Sequence, residues 1–209
     1  MNNKILYLVG ISLALAVTGA LADDKSSDSK AAKPESSQAP DEQEMMKRWE
    51  AAATPGANHK ALEPLIGEWN VVSKFWVAGP DGPSMESKAT AKTHWILGNR
   101  FVQEEVAGEM MGRPFEGVGL TGYDNIKKKY VSAWIDNSGT SLSTSEGTAD
   151  SGAKVFTFLG KLDDPMTGER DKSIKYVIRI ISPEKRILEM HEVARGEKSK
   201  VAEITYTKK

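Results

Sequence analysis

From Trp69 onward, apolar and polar residues alternate with a period of two, and turn signals break the pattern every 10–15 residues or so. Such alternation marks strands with one buried face, and it runs through ten segments with no helical pattern between any of them. They read Trp69–Val77, Glu86–Leu97, Phe101–Ala107, Phe115–Asp124, Tyr130–Asp136, Leu142–Asp150, Val155–Leu162, Lys172–Ser182, Ile187–Arg195 and Val201–Thr207. Hairpin-length loops such as Gly79-Pro80-Asp81-Gly82 and Asn137-Ser138-Gly139 join them, which implies an antiparallel up-and-down order. Ten strands without covering helices must hide their edges, and closure into a meandering barrel does so.

Parity assigns faces within the segments. In Lys88–Leu97 the alternation puts Ala89, Ala91, Thr93, Trp95 and Leu97 inside, and in Lys172–Ser182 it puts Ile174, Tyr176, Ile178 and Ile180 there. Tyr130–Asp136 lacks a clearly solvated face, because Val131, Ala133 and Ile135 alternate with Tyr130, Ser132 and Trp134. Its outer face is therefore expected to be covered, by an N-terminal helix or by a second subunit in a homodimer.

The 209-residue chain has no cysteine, 28 basic and 29 acidic side chains, and a formal charge of −1. Without disulfides the domain needs an apolar core, and roughly 150 residues suffice to bury one. A balanced charge lacks the basic stripe that a phosphate backbone requires, so nucleic acid is not an expected partner.

The N-terminal part reads differently. Lys4, the apolar run Ile5–Val17 and the small-x-small Ala20-Leu21-Ala22 predict a cleavable signal peptide over residues 1–22, cut between Ala22 and Asp23. A periplasmic or secreted location follows, with no stable membrane anchor after cleavage. Residues 23–43 are rich in Asp, Ser, Lys, Ala and Pro and predict a disordered linker. The barrel domain then occupies residues 44–209. Asp41 is a predicted N-cap with Glu44 three residues on, opening a short helix whose Met45, Met46 and Trp49 should dock on something. A second helical turn is expected at His59–Ile66.

Gly67-Glu68-Trp69 after that turn resembles the start of lipocalin and fatty-acid-binding-type barrels. In that superfamily the Trp plugs the closed end, often against a late-strand arginine, for which Arg195 is the matching residue. A longer set resembles a bacterial family known as domain of unknown function 1579. It runs from Thr54-Pro55-Gly56 and Leu65-Ile66-Gly67-x-Trp69 through Trp95-Ile96-Leu97-Gly98-x-Arg100-Phe101, Gly112-x-Pro114-Phe115-Glu116-Gly117 and Gly122-Tyr123-Asp124 to Trp134-x-Asp136 and Asp163-Asp164-Pro165-Met166-Thr167-Gly168. Asn99 departs from the glycine expected after Gly98. The resemblance implies an all-β, lipocalin-like barrel of about ten strands with a short N-terminal helix, and it implies no established activity.

Motifs with chemical potential read as structure. Gly117-Val118-Gly119-Leu120-Thr121-Gly122 spells G-x-G-x-x-G, but no helix pattern follows to cradle a phosphate, so close strand packing is expected instead. His59, His94 and His191 show no ligand spacing, so no metal is expected. His191 is expected to be solvated or structurally bonded rather than an axial ligand. Asp163–Glu169 is expected to be a turn rather than a calcium loop, and Lys127-Lys128-Lys129 a solvated hairpin tip.

Barrels of this strand number are either filled or wide enough for one small ligand. Trp69, Phe75, Trp95, Phe101, Tyr123, Trp134, Tyr176 and Tyr206 are the candidate ligand-binding residues, suited to a small hydrophobic molecule. No cofactor and no catalytic residue is assigned. Two further classes stay open: an enzyme using a buried carboxylate such as Glu104, Glu146 or Asp136, and a protein-interaction module with no ligand.

Overall fold

The computed structural model describes residues 41–76, 79–164 and 167–209. The predicted signal peptide and most of the predicted linker lie outside the described residues, as do Val77 and the Pro165-Met166 pair.

The N-terminal helix α1 spans Glu42–Ala53. Its N-cap is Asp41, whose carboxylate accepts the Glu44 N–H at 2.8 Å. Glu44 turns its own side chain to Arg48 four residues on. Within the single chain the apolar side of α1 is not buried against the barrel: Met45, Met46 and Trp49 are 51, 53 and 66 % exposed, and no residue of the helix is buried. What ties α1 down is its C-terminal end, where Asn125 Nδ2 donates to the Ala51, Ala52 and Thr54 carbonyls. Helix α2 (Ala57–Lys60) and a 3-10 turn (Glu63–Leu65) follow, matching the second predicted helical turn.

All ten predicted strands form: β1 (Gly67–Trp76), β2 (Ser84–Ile96), β3 (Phe101–Met110), β4 (Arg113–Asp124), β5 (Lys129–Asp136), β6 (Ser143–Ala149), β7 (Val155–Leu162), β8 (Lys172–Ser182), β9 (Lys185–Glu192) and β10 (Lys200–Lys208). Every sequential pair is antiparallel, and β1 pairs with β10 from Trp69↔Lys208 to Phe75↔Ala202, so the barrel closes. The predicted ninth strand is too long at its end. Val193–Lys198 leaves the sheet as a 3-10 segment, with Gly196 at φ 59° inside it.

Parity held along the strands and failed at one end. Ala91 and Thr93 are buried inside β2, and Ile174 inside β8, as the alternation predicts. Leu97 is instead 68 % exposed. It begins a turn in which Leu97, Gly98 and Asn99 all have positive φ, so its side chain leaves the strand's alternation. Asn99 takes φ 63°, a conformation that asparagine accepts better than most residues, which accommodates the departure from glycine.

The core forms two clusters: one lines the barrel wall around Trp69, Val71, Ala91, Val106 and Tyr206, and the other lies at the end where β1 begins and β4 finishes. There α2 and the 3-10 turn cap the barrel. Leu62 and Leu65 sink among Val102, Tyr130, Phe156 and Phe158. An edge-to-face aromatic series runs from His59 to Tyr123 (5.8 Å), then to Tyr130 (5.0 Å) and on to Phe156 (5.1 Å). His59 is buried, and its Nδ1 accepts the Gly56 N–H at 3.1 Å. Burial holds its pKa below the usual histidine value.

Candidate ligand site in the barrel lumen

Above the capped end the barrel is hollow. A cavity of about 360 Å³ runs from the level of Leu65 to the opposite mouth, where Phe75, Met110, Phe115 and Asp136 stand around the rim. That volume lies within the range of small-ligand sites.

The cavity floor is a polar cluster assembled from five strands. Arg186 on β9 crosses the lumen to form an ion pair with Glu104 on β3. Thr93 on β2 donates its hydroxyl to Glu104 Oε2 at 3.2 Å, and Tyr206 on β10 donates to Glu104 Oε1 at 3.0 Å. The guanidinium lies 3.9 Å from the Tyr206 ring centroid and 5.0 Å from that of Trp69 on β1. Trp69 in turn donates its Nε1–H to the Leu65 carbonyl at 3.2 Å, joining the floor to the cap. Burial, reinforced by the Glu104 charge, pushes the Tyr206 hydroxyl up, so it stays a neutral donor.

The late-strand arginine that meets Trp69 is therefore Arg186, and not Arg195. Inward positions on β9 are the even numbers 186, 188 and 190, whereas Arg195 lies beyond the strand and pairs with Glu192 at 2.8 Å.

The eight candidate ligand-binding residues separate into three places. Phe75, Trp134, Tyr176 and Tyr206 line the cavity. Trp69, Trp95 and Tyr123 belong to the packed core, where Trp95 Nε1 donates to Glu63 at 2.8 Å. Phe101 sits on the outer face, paired with Gly122 and covering the side of that glycine. Aromatic content alone missed the polar floor and the aliphatic wall of Val71, Leu188 and Ile204. Strand parity was the signal that could have found them, because all of them fall on inward positions.

The glycine motif is explained by packing. The Trp134 indole lies flat along β4 inside the barrel, over Gly117 and Gly119. A Cβ on Gly117 would overlap it, and one on Gly119 would come within 3.1 Å. Trp134 Nε1 donates to Asp136 Oδ2 at 2.7 Å, which fixes the ring at the rim. Gly122 serves Phe101 in the same way on the outer side.

Each carboxylate considered for catalysis is engaged. Glu104 has both oxygens in the floor cluster. Asp136 accepts from Trp134 and from the Ser138 N–H and hydroxyl. Glu146 points outward and pairs with Lys127 and Lys129, so that hairpin tip is partly neutralised rather than simply solvated. His191 also faces outward, with Nδ1 3.1 Å from the Ser199 hydroxyl. Among the described residues, no group of three or more His, Asp or Glu side chains is placed to hold a metal ion. Asp164 accepts the Thr167 N–H, as a turn residue does.

The outer face of β5 is not covered by α1. Ile135 is exposed, as are Val118 and Leu120 on the neighbouring β4 and Leu159 on β7. No helix among the described residues is long and apolar enough to cross a membrane.

A family model described as "Protein of unknown function (DUF1579)" matches residues 54–208. No curated protein matches the chain. Among solved structures, a redesigned β-barrel is similar at 13 % identity and a TM-score of 0.38, covering 71 % of this chain and 95 % of that one.

Proposed function

The chain belongs to the DUF1579 family of proteins of unknown function, and we propose that it binds one small, largely apolar molecule in the barrel lumen. The observation that carries this reading is the cavity itself: sealed at one end, open at the other, and walled by Val71, Phe75, Val106, Phe115, Leu188 and Ile204. A barrel selected for stability alone would fill this space, because an empty cavity costs roughly 24 cal/mol per Å³ in lost contacts. A bound apolar molecule restores those contacts. The signal-like residues 1–22 support binding outside the cytoplasm, and Ala22-Asp23 is the bond that processing would cut.

Native mass spectrometry on protein purified after export, followed by organic extraction, tests both parts. The expected result is a mature chain starting at Asp23 that carries one small molecule. An empty barrel whose melting temperature is unmoved by lipids, haem or quinones would overturn the binding reading. A chain recovered only from the cytoplasm with Met1 retained would overturn the export reading, and an exported chain that still carries residues 1–22 would overturn the cleavage site.

A further inference from the structure

Two features of the lumen specify more than apolarity. The first is a charged floor. Arg186 is 5 % exposed and lines the cavity, yet its Nε finds no hydrogen-bond partner among the described residues. A buried donor left unmade is unfavourable, and Nε is closed off from the lumen, so the floor offers a ligand its fixed ion-pair charges rather than a free N–H. The second is a row of hydroxyls on one wall. Register places Thr121 opposite Ser132 and Ser132 opposite Ser145, all on the inner faces of β4, β5 and β6. The one side-chain hydrogen bond within that row is long, 3.5 Å from Thr121 Oγ1 to Ser132 Oγ. These hydroxyls face the cavity with donor and acceptor capacity to spare. The opposite wall, Leu188 and Ile204 on β9 and β10, is aliphatic.

Charge decides the class of oxygen. Glu104 already neutralises Arg186 and stands beside it on the same floor, so a ligand carboxylate entering there meets a like charge. Serine and threonine hydroxyls satisfy an uncharged oxygen and cannot neutralise an ionised one.

Resting on the ligand-binding reading above, we infer that the lumen selects lipophiles carrying an uncharged oxygen, as hydroxyl or carbonyl, over pure hydrocarbons and over fatty carboxylates. The aliphatic wall takes the hydrocarbon body, the Thr121–Ser132–Ser145 row holds the oxygen, and Glu104 in the floor disfavours a second negative charge.

Three probes of one skeleton test this: farnesene, farnesol and farnesoic acid, titrated into the mature protein with intrinsic tryptophan fluorescence as the readout. Farnesol is expected to bind about tenfold tighter than either of the others, the size of one or two net hydrogen bonds. The variant Thr121→Val/Ser132→Ala/Ser145→Ala should lose most of that preference while still binding farnesene. The single variant Ser132→Thr, which keeps the hydroxyl, should retain it. Melting curves on both variants separate a changed site from a lost fold.

Equal binding of all three probes, or tightest binding of farnesoic acid, would overturn the selectivity while leaving lumen binding intact. A triple variant that melts like the parent and keeps its full preference would also overturn it. Failure of all three probes to bind would sink the ligand-binding reading and this one with it.

Discussion

The two ends of the barrel are built from the same ten strands and solve opposite problems. At the sealed end, Leu62 and Leu65 descend from the helical cap into an aromatic series whose rings pack edge to face. At the mouth, Phe75 and Phe115 border space instead of one another, and the nearby polar groups are either capped, as Asp136 is, or ion-paired, as Lys172 is with Asp164 and Glu169. Packing is therefore densest where the cap inserts, and the remaining lumen is left open. The Glu104–Arg186 floor is the boundary between the two.

That division can be broken at the boundary. Glu104→Leu removes one partner of a buried ion pair and strands the Arg186 charge beneath the cavity. The expected cost is about 3–5 kcal/mol, measured by urea unfolding. A loss near zero would mean that water entering from the mouth already screens the floor, and the two ends would then be one environment. Replacing both partners together, as Glu104→Leu/Arg186→Met, should recover most of the loss, because no charge is then left unpaired.

The asymmetry of packing predicts the next effect. Leu62 is fully buried in the cap, and Leu62→Ala should cost about 2–5 kcal/mol. Phe115→Ala removes more atoms yet should cost markedly less, since that ring already borders the cavity. Equal costs at the two sites would erase the distinction between a packed end and a hollow one.

A smaller, pH-dependent effect belongs chiefly to the sealed end. Burial keeps His59 neutral in the folded state, so its pKa lies below the unfolded value near 6.5. The unfolded chain then takes up a proton that the folded chain resists, so this contribution is intact above about pH 6.5 and is lost as pH falls below it. Melting temperature should decline between pH 7 and 5 in the parent and decline less in His59→Asn. The slope that remains should include His191, which burial also depresses. Carboxylates held low by hydrogen bonds, such as Asp124 and Asp150, act only at still lower pH.

How much of this was legible in the sequence differs between the ends for a physical reason. Strand number, order and most inward positions follow from a period of two, because alternation is a local property of the backbone. Depth along the barrel is not local. Staggering of the strands carries Trp95 and Tyr123 to the packed end and Trp134 to the rim, although all three are inward aromatics of similar appearance. The Arg186–Glu104 pair joins positions 82 residues apart on strands that are not neighbours, and nothing in either segment announces the other. Arg195 looked as plausible until β9 ended three residues before it. Phe101 shows the opposite failure: an aromatic at a strand start reads as core, while register with Gly122 sets it on the outside.

The smallest effect concerns α1, whose apolar residues were expected to cover the outer face of β5. Removing residues 41–53 deletes a helix with no buried side chain, so unfolding free energy should change by no more than about 0.5 kcal/mol. The lost contacts include the Asn125 hydrogen bonds to the Ala51 and Ala52 carbonyls, which water can replace at a largely exposed site. A larger loss in the isolated chain would mean that Met45, Met46 and Trp49 find a partner that the single barrel does not display. Sedimentation at rising concentration would then locate it: a parent that dimerises and a truncated chain that does not would assign the helix to a second copy. A truncated chain with the parent's stability and mass at every concentration makes α1 a tethered appendage, and places the determinants of stability wholly within the strands and the cap.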